Sequence, residues 1–183
     1  MPLVIPLPGE HNIYHALAAA AVGNIFGMDI KDIVSGIEDT KSVVGRTNFL
    51  NMKDGITVID DCYNASPASV KSALSLLSSV DGRKIAVLGD MGELGKDEVE
   101  IHKQLGENLY SLGYNIMLTV GDLSRNISDV DTSRSIHYMT IEGCAYYLKN
   151  NLKKGDWVLI KASRAMGLEK IIDILKKYEE KTK

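Results

Sequence analysis

Apolar residues recur along this chain in two rhythms. Near the N-terminus, Ile13, Leu17, Ala21 and Ile25 form one row, and Tyr14, Ala18, Val22 and Phe26 form the next. That four-residue spacing predicts a helix over 11–26. Gly27 stops it, and Asp29 can cap a second helix in which Ile30, Ile33, Val34 and Ile37 keep the i, i+3, i+4, i+7 spacing. Residues 3–6, ahead of Pro8-Gly9, read as the end of a strand. Two apolar helices with almost no sheet to cover look like a piece of something larger.

The second rhythm begins near residue 47. Apolar stretches at 47–52 and 56–60 flank Lys53-Asp54-Gly55, a hairpin signal. Ser66-Pro67 then opens a helix whose stripe is Val70, Ala73, Leu74 and Leu77. Strands at 84–88, 116–120, 135–139 and 157–161 alternate with helices at about 97–112 and 122–128, after Thr140, and around Leu168, Ile171, Ile172 and Leu175. Such alternation predicts an α/β domain: five parallel strands plus one antiparallel hairpin strand, with helices on both faces. Ligands of such sheets sit beyond the carboxyl ends of the strands. Here those ends carry Asp60-Asp61-Cys62-Tyr63-Asn64, Gly89-Asp90-Met91, Gly121-Asp122 and Lys161-Ala162-Ser163-Arg164.

Composition narrows the partners. The 183 residues suit one domain and a further piece, since domains average about 150 residues. With 21 basic and 24 acidic side chains the chain carries a net charge of −3, poor for nucleic acid. The one dense charge cluster, from Lys176 to Lys183, is short and mixed in sign. The sequence contains no apolar run of the roughly 18–20 residues a membrane span needs, and its first residues, without a basic stretch or an A-x-A cleavage site, are not expected to act as a secretory signal. Cys62 and Cys144 form no C-x-x-C and read as reduced thiols, so the expected location is cytoplasmic.

Candidate chemistry lies at the strand ends. The Walker pattern and the G-x-G-x-x-G fingerprint are both absent; Gly89–Asp97 is Gly-rich, but its spacing differs and its acids would repel phosphate. Asp60-Asp61 suits either a metal or ribose hydroxyls, or else a capping cluster. Lys161, Ser163 and Arg164 at a helix start suit a carboxylate or phosphate, or else form a plain cap. His11 and His15 stand one turn apart, but Asn12 occupies the position where a zincin carries its glutamate base, and no third ligand follows. His102 and His137 are isolated and read as packing or surface residues.

Five segments, in order, resemble those of the Mur ligases: Gly9-Glu10-His11-Asn12 with Ala16–Ala20, Gly45-Arg46, Ile59–Pro67, Val87–Gly95 and Lys161–Arg164. His15 stands where the family has Asn, and Ala162 where it has Gly. The resemblance implies that residues 1–45 are the end of a central ATPase domain and 46–183 a C-terminal Rossmann-like domain. It implies ATP and Mg2+ as cofactors, with the phosphate loop, the magnesium ligands and a carbamylated lysine in preceding domains. His11, Asn12 and His15 would face the adenine, Arg46 the phosphates, and Asp61 and Asn64 the ribose. Lys161, Ser163 and Arg164, with Asp90, would hold substrate. The implied reaction joins D-alanyl-D-alanine to UDP-N-acetylmuramoyl-tripeptide through an acyl phosphate, and the chain without its missing domains would not ligate. Two rivals stand beside it. A phosphoacceptor receiver domain shares the acids and the lysine but leaves residues 1–50 unused. A stand-alone, non-catalytic module would bind nucleotide or peptide only.

Overall fold

A computed structural model of the chain describes residues 2–109 and 111–181. By contacts it divides into two compact units, Met1–Val43 and Val44–Lys183.

The first unit is a helix pair, α1 (His11–Ile25) and α2 (Ile30–Glu38). Asp29 caps α2, its carboxylate accepting from the Lys31 N–H at 2.9 Å. The helices meet through a small-residue stripe: Ala16 and Ala20 pack on Ile33 and Ile37, and a Cβ on Gly23 would lie 2.9 Å from Ile33. The bulky apolar rows of α1 stay outside this contact. Ile13 and Leu17 are exposed, and Ile25 and Phe26 are 78% and 81% exposed. A single partner helix covers only one stripe, and close approach selects the small side chains. Residues 3–6 are not a strand, because the described part of this unit offers them no neighbouring strand. Instead the Val4 N–H donates to Glu38 at 3.1 Å and Ile5 joins the small core.

The second unit is the α/β domain. Its strands are β1 (Asn48–Asn51), β2 (Thr57–Asp61), β3 (Lys84–Gly89), β4 (Ile116–Val120), β5 (Ser135–Tyr138) and β6 (Trp157–Lys161). They form one sheet in the order β1-β2-β6-β3-β4-β5. Only the β1–β2 pair is antiparallel, so five strands run parallel, as the alternation predicts. The strands alternate cleanly between two cores. Val58, Ile85, Val87, Leu118, Val158 and Ile160 face α6 (Ile141–Asn151) and α7 (Glu169–Lys181). Ile59, Ala86, Leu88, Met117 and Leu159 face α3 (Pro67–Ser78), α4 (Glu98–Leu109) and α5 (Arg125–Ser128).

Local chemistry fixes the boundaries. Ser66 and Ser69 form a reciprocal capping box at α3, with Pro67 at its first position. The hairpin turns through Asp54 and Gly55, both left-handed. A 3-10 turn at Gly95–Asp97 precedes α4, so the helix starts at Glu98. Of its expected end, Tyr110 lies outside the described residues, as do Thr182 and Lys183 of the charged tail. α5 is shorter than the 122–128 expected.

Candidate functional site

The polar edge is built where β2 and β6 end. Register places Asp61 beside Lys161, and their shared parity puts both side chains on the α3 face of the sheet. The Lys161 Nζ donates to Asp61 Oδ2 at 2.6 Å and to the Asn64 carbonyl at 2.8 Å. Lys161 is 2% exposed and Asp61 13% exposed. A cation this buried is held only because charge and hydrogen bonds compensate its lost hydration. The other oxygen, Asp61 Oδ1, accepts from the Thr47 N–H at 3.0 Å and from its hydroxyl at 3.4 Å. A carboxylate offers about four acceptor sites. Three are occupied here, which leaves room for one more donor.

The segment opposite is wound tightly. Gly45 and Thr47 are both left-handed, with φ of 76° and 51°. For β-branched Thr47 this is a strained state. The Tyr63 N–H donates to the Gly45 carbonyl at 2.9 Å, and the Arg46 guanidinium lies 4.1 Å from the Tyr63 ring centroid. Arg46, Asp61 and Asn64, predicted to act together, therefore share one edge. Asp60 does not join them. Successive strand side chains alternate, and Asp60 instead accepts from the Cys62 N–H at 3.2 Å. Burial pushes the Cys62 thiol well above its ordinary pKa, with the Asp60 charge adding to it.

A second cluster lies at the ends of β3, β4 and β6. The Asp90 carbonyl accepts from the Ser163 N–H at 3.0 Å, and its carboxylate accepts from the Ser124 N–H at 2.7 Å. A Cβ on Gly121 would stand 2.6 Å from that carboxylate, so Asp90 ties the β4 loop to the β6 loop. Buried His102 braces the same loop: its Nε2 accepts from the Met91 N–H at 3.0 Å and its Nδ1 lies 2.6 Å from the Glu98 carbonyl. Ala162 is fully buried and not left-handed, and its methyl fills the space that Gly89 leaves open.

The β6 loop differs from the expected helix start. Arg164–Met166 form a separate 3-10 turn closed by left-handed Gly167, and α7 begins only at Glu169. Ser163 is buried, while Arg164 is 69% exposed and faces Glu169 at 3.6 Å. Lys161 is sealed beneath Asp61, apart from exposed Arg164.

In the first unit, Asn12 is committed at both ends of its amide. Its Nδ2 donates to the Pro8 carbonyl at 2.8 Å, and its Oδ1 lies 3.1 Å from His15 Nδ1. The His11 and His15 rings meet edge-on at 5.7 Å. Among the described residues no three His, Cys, Asp or Glu side chains converge as a metal site. No helix among them is long and apolar enough to cross a membrane. Thr47, Tyr63 and Ser124 carry no role assigned from sequence, yet each contacts a residue that does, and His102 braces the Asp90 loop through the Met91 N–H.

A mostly parallel sheet with its polar residues gathered at the strand carboxyl ends defines a Rossmann-like α/β domain. The chain belongs to the Mur ligase family: the profile of the Mur ligase, glutamate ligase domain matches residues 45–164. It is 37% identical over 175 residues to the UDP-N-acetylmuramoyl-tripeptide–D-alanyl-D-alanine ligase of Bacillus subtilis, covering 92% of this chain and 38% of that protein. The MurF crystal structure from Acinetobacter baumannii superposes with a TM-score of 0.88 at 30% identity, over 96% of this chain and 39% of that one. MurF from Thermotoga maritima, solved in complex with ADP, gives 0.82 at 30% identity, over 96% and 40%. The chain thus spans about two fifths of the length of the relatives it matches. The match runs through Asp60, Asp90 and Lys161, the residues on which the receiver resemblance depends.

Proposed function

We propose that this chain is the portion of an ATP-dependent ligase that completes nucleotide binding and presents D-alanyl-D-alanine for addition to UDP-N-acetylmuramoyl-tripeptide, in peptidoglycan precursor synthesis. Residues 1–45 are assigned to the end of a central ATP-binding domain and 46–183 to the C-terminal domain. The contact boundary at Val43–Val44 and the names of the relatives support that assignment.

The observation that carries the reading is the β2–β6 edge. Asp61 keeps one acceptor site for a ribose hydroxyl, and exposed Asn64 stands beside it. Arg46 is held on the Tyr63 ring, where its planar fork suits phosphate oxygens. His11, Asn12 and His15 are assigned to the adenine. His15 presents a ring edge at the position of the family Asn, and His11 is exposed. For the dipeptide, Arg164 and Ser163 would take the carboxylate, with Asp90 holding their loop to the sheet. Lys161, sealed under Asp61, acts from below that edge.

The reaction these roles serve phosphorylates the tripeptide carboxyl, and the dipeptide amine then displaces phosphate from the acyl phosphate. This chain's part is to position the reactants and neutralise charge. Magnesium is assigned to ligands outside this chain, which spans about two fifths of its relatives' length. The test is titration of the 15N-labelled chain with MgADP and, separately, with D-alanyl-D-alanine. MgADP is expected to shift the amides of Arg46 and of Asp61–Asn64, and the dipeptide those of Ser163 and Arg164. Absence of both sets of shifts overturns the assignment.

A further inference from the structure

Lys161 is the one charged side chain at the end of the central strand β6, whose preceding residues Val158, Leu159 and Ile160 are fully buried and apolar. A lysine serving as a ligand contact would reach outward. This one is sealed, and its ammonium spends two donors inside the protein, on Asp61 Oδ2 and on the Asn64 carbonyl. Asp61 passes that restraint on, because its other oxygen holds both the N–H and the hydroxyl of Thr47. Thr47 is a β-branched residue with φ of 51°, a conformation that persists only where its surroundings fix it. Its immediate neighbour is Arg46. A chain of contacts therefore runs from the end of β6 through one carboxylate to the strained turn that carries the arginine, and a second runs to the carbonyl of Asn64.

We propose that Lys161 is a positioning residue. It fixes the Asp61 carboxylate and, through it, the left-handed Thr47 turn that presents Arg46, and it does not itself touch the dipeptide. Its importance for the reaction rests on the nucleotide reading of Arg46, Asp61 and Asn64; the contact chain itself does not. The pair also sets specificity at Asp61. With Lys161 and Thr47 filling three acceptor positions, the carboxylate offers a single oriented site, which suits one hydroxyl donor better than a cation.

The test is amide hydrogen exchange by NMR on the full chain, with Lys161→Met against Leu148→Ala, a cavity variant in α6 on the opposite face of the sheet. Lys161→Met is expected to speed exchange of the Thr47 N–H by about tenfold or more relative to the Leu159 N–H, since a charge-fixed acceptor is released while the strand remains. Leu148→Ala should leave that ratio unchanged. A Thr47-to-Leu159 ratio that moves no further in Lys161→Met than in Leu148→Ala overturns the proposal. Should Lys161→Met fail to fold, the double variant Lys161→Met/Asp61→Asn leaves no unpaired charge, and its Thr47-to-Leu159 ratio is read against that of Asp61→Asn alone, equal ratios overturning the role of Lys161. MgADP titration of the same samples reads the nucleotide assignment separately. Thr47 acceleration without ADP-induced shifts leaves Lys161 as the anchor of the turn and removes the nucleotide. ADP-induced shifts without Thr47 acceleration keep the nucleotide and overturn the role of Lys161. Where the wild type binds MgADP, its dissociation constant should rise severalfold in Lys161→Met but not in Leu148→Ala; equal constants in the two variants overturn the positioning role.

Discussion

Replacing His102 with Phe isolates the brace beneath the Asp90 loop. The ring is fully buried on α4, and phenylalanine keeps its planar shape while removing both nitrogens. The Met91 N–H, now donating to Nε2 at 3.0 Å, loses its acceptor in a residue that is itself buried. An orphaned buried donor costs about 1–3 kcal/mol, and loss of the bond to the Glu98 carbonyl adds about 0.5–1.5 kcal/mol. Together these give about 1.5–4.5 kcal/mol, or a fall of roughly 3–18 °C in melting temperature at about 2–4 °C per kcal/mol. Denaturant unfolding followed by Trp157 fluorescence reads the second unit, since Trp157 opens β6 and packs edge-on against Phe49. The slope should stay constant while the midpoint falls. A destabilisation under about 1 kcal/mol would show that the Met91 N–H finds another acceptor and that His102 is not what holds the loop.

Three further outcomes follow from particular contacts. Gly89→Ala would place a methyl 2.6 Å from the Ala162 Cβ, an overpacking that costs about 1–3 kcal/mol. Ala162→Gly should partly rescue it in a double-mutant cycle, and strict additivity of the two changes would contradict the contact. Burial pushes the Cys144 thiol up to about 12 and raises that of Cys62 as well, so neither is a thiolate near pH 8. Native chain should resist a thiol reagent that labels both residues once unfolded; rapid stoichiometric labelling of native chain would contradict this. Asp131 is held below its ordinary pKa by the Ser133 hydroxyl and then by Arg134. A depressed folded value stabilises above the unfolded pKa, and that stability is lost as pH falls through the folded one. Asp131→Asn should therefore lower the denaturation midpoint at pH 7, with the difference shrinking below about pH 4; a difference independent of pH would contradict the assignment.

Much of the second unit was legible because its determinants are local. The Ser66-Pro67 cap, the Asp54-Gly55 turn and the short apolar strands each specify their element within a few residues. Strand alternation then points to a parallel sheet and to its carboxyl edge. Pairing across the sheet is not local. Asp61 and Lys161 are 100 positions apart, and only the β2–β6 register makes them neighbours, so the burial of the lysine assigned to substrate could not be read locally. His102 looked isolated because its partners are backbone groups, which leave no residue-type signature. In α1, periodicity located the helix but not its buried side, since bulky rows and a small-residue stripe share the same period. The expected strand at 3–6 failed for a related reason: apolar composition cannot supply a pairing partner.

The measurement that tests the account most directly is ligation by a chimera. The portion of the Bacillus subtilis relative that this chain matches is replaced by this chain, and conversion of UDP-N-acetylmuramoyl-tripeptide to the dipeptide-extended product is followed by mass, with ATP, magnesium and D-alanyl-D-alanine present. The account predicts turnover by the chimera, its loss with Arg46→Ala, and none by this chain alone. A folded chimera that does not turn over, one indifferent to Arg46→Ala, or turnover by the isolated chain would contradict it.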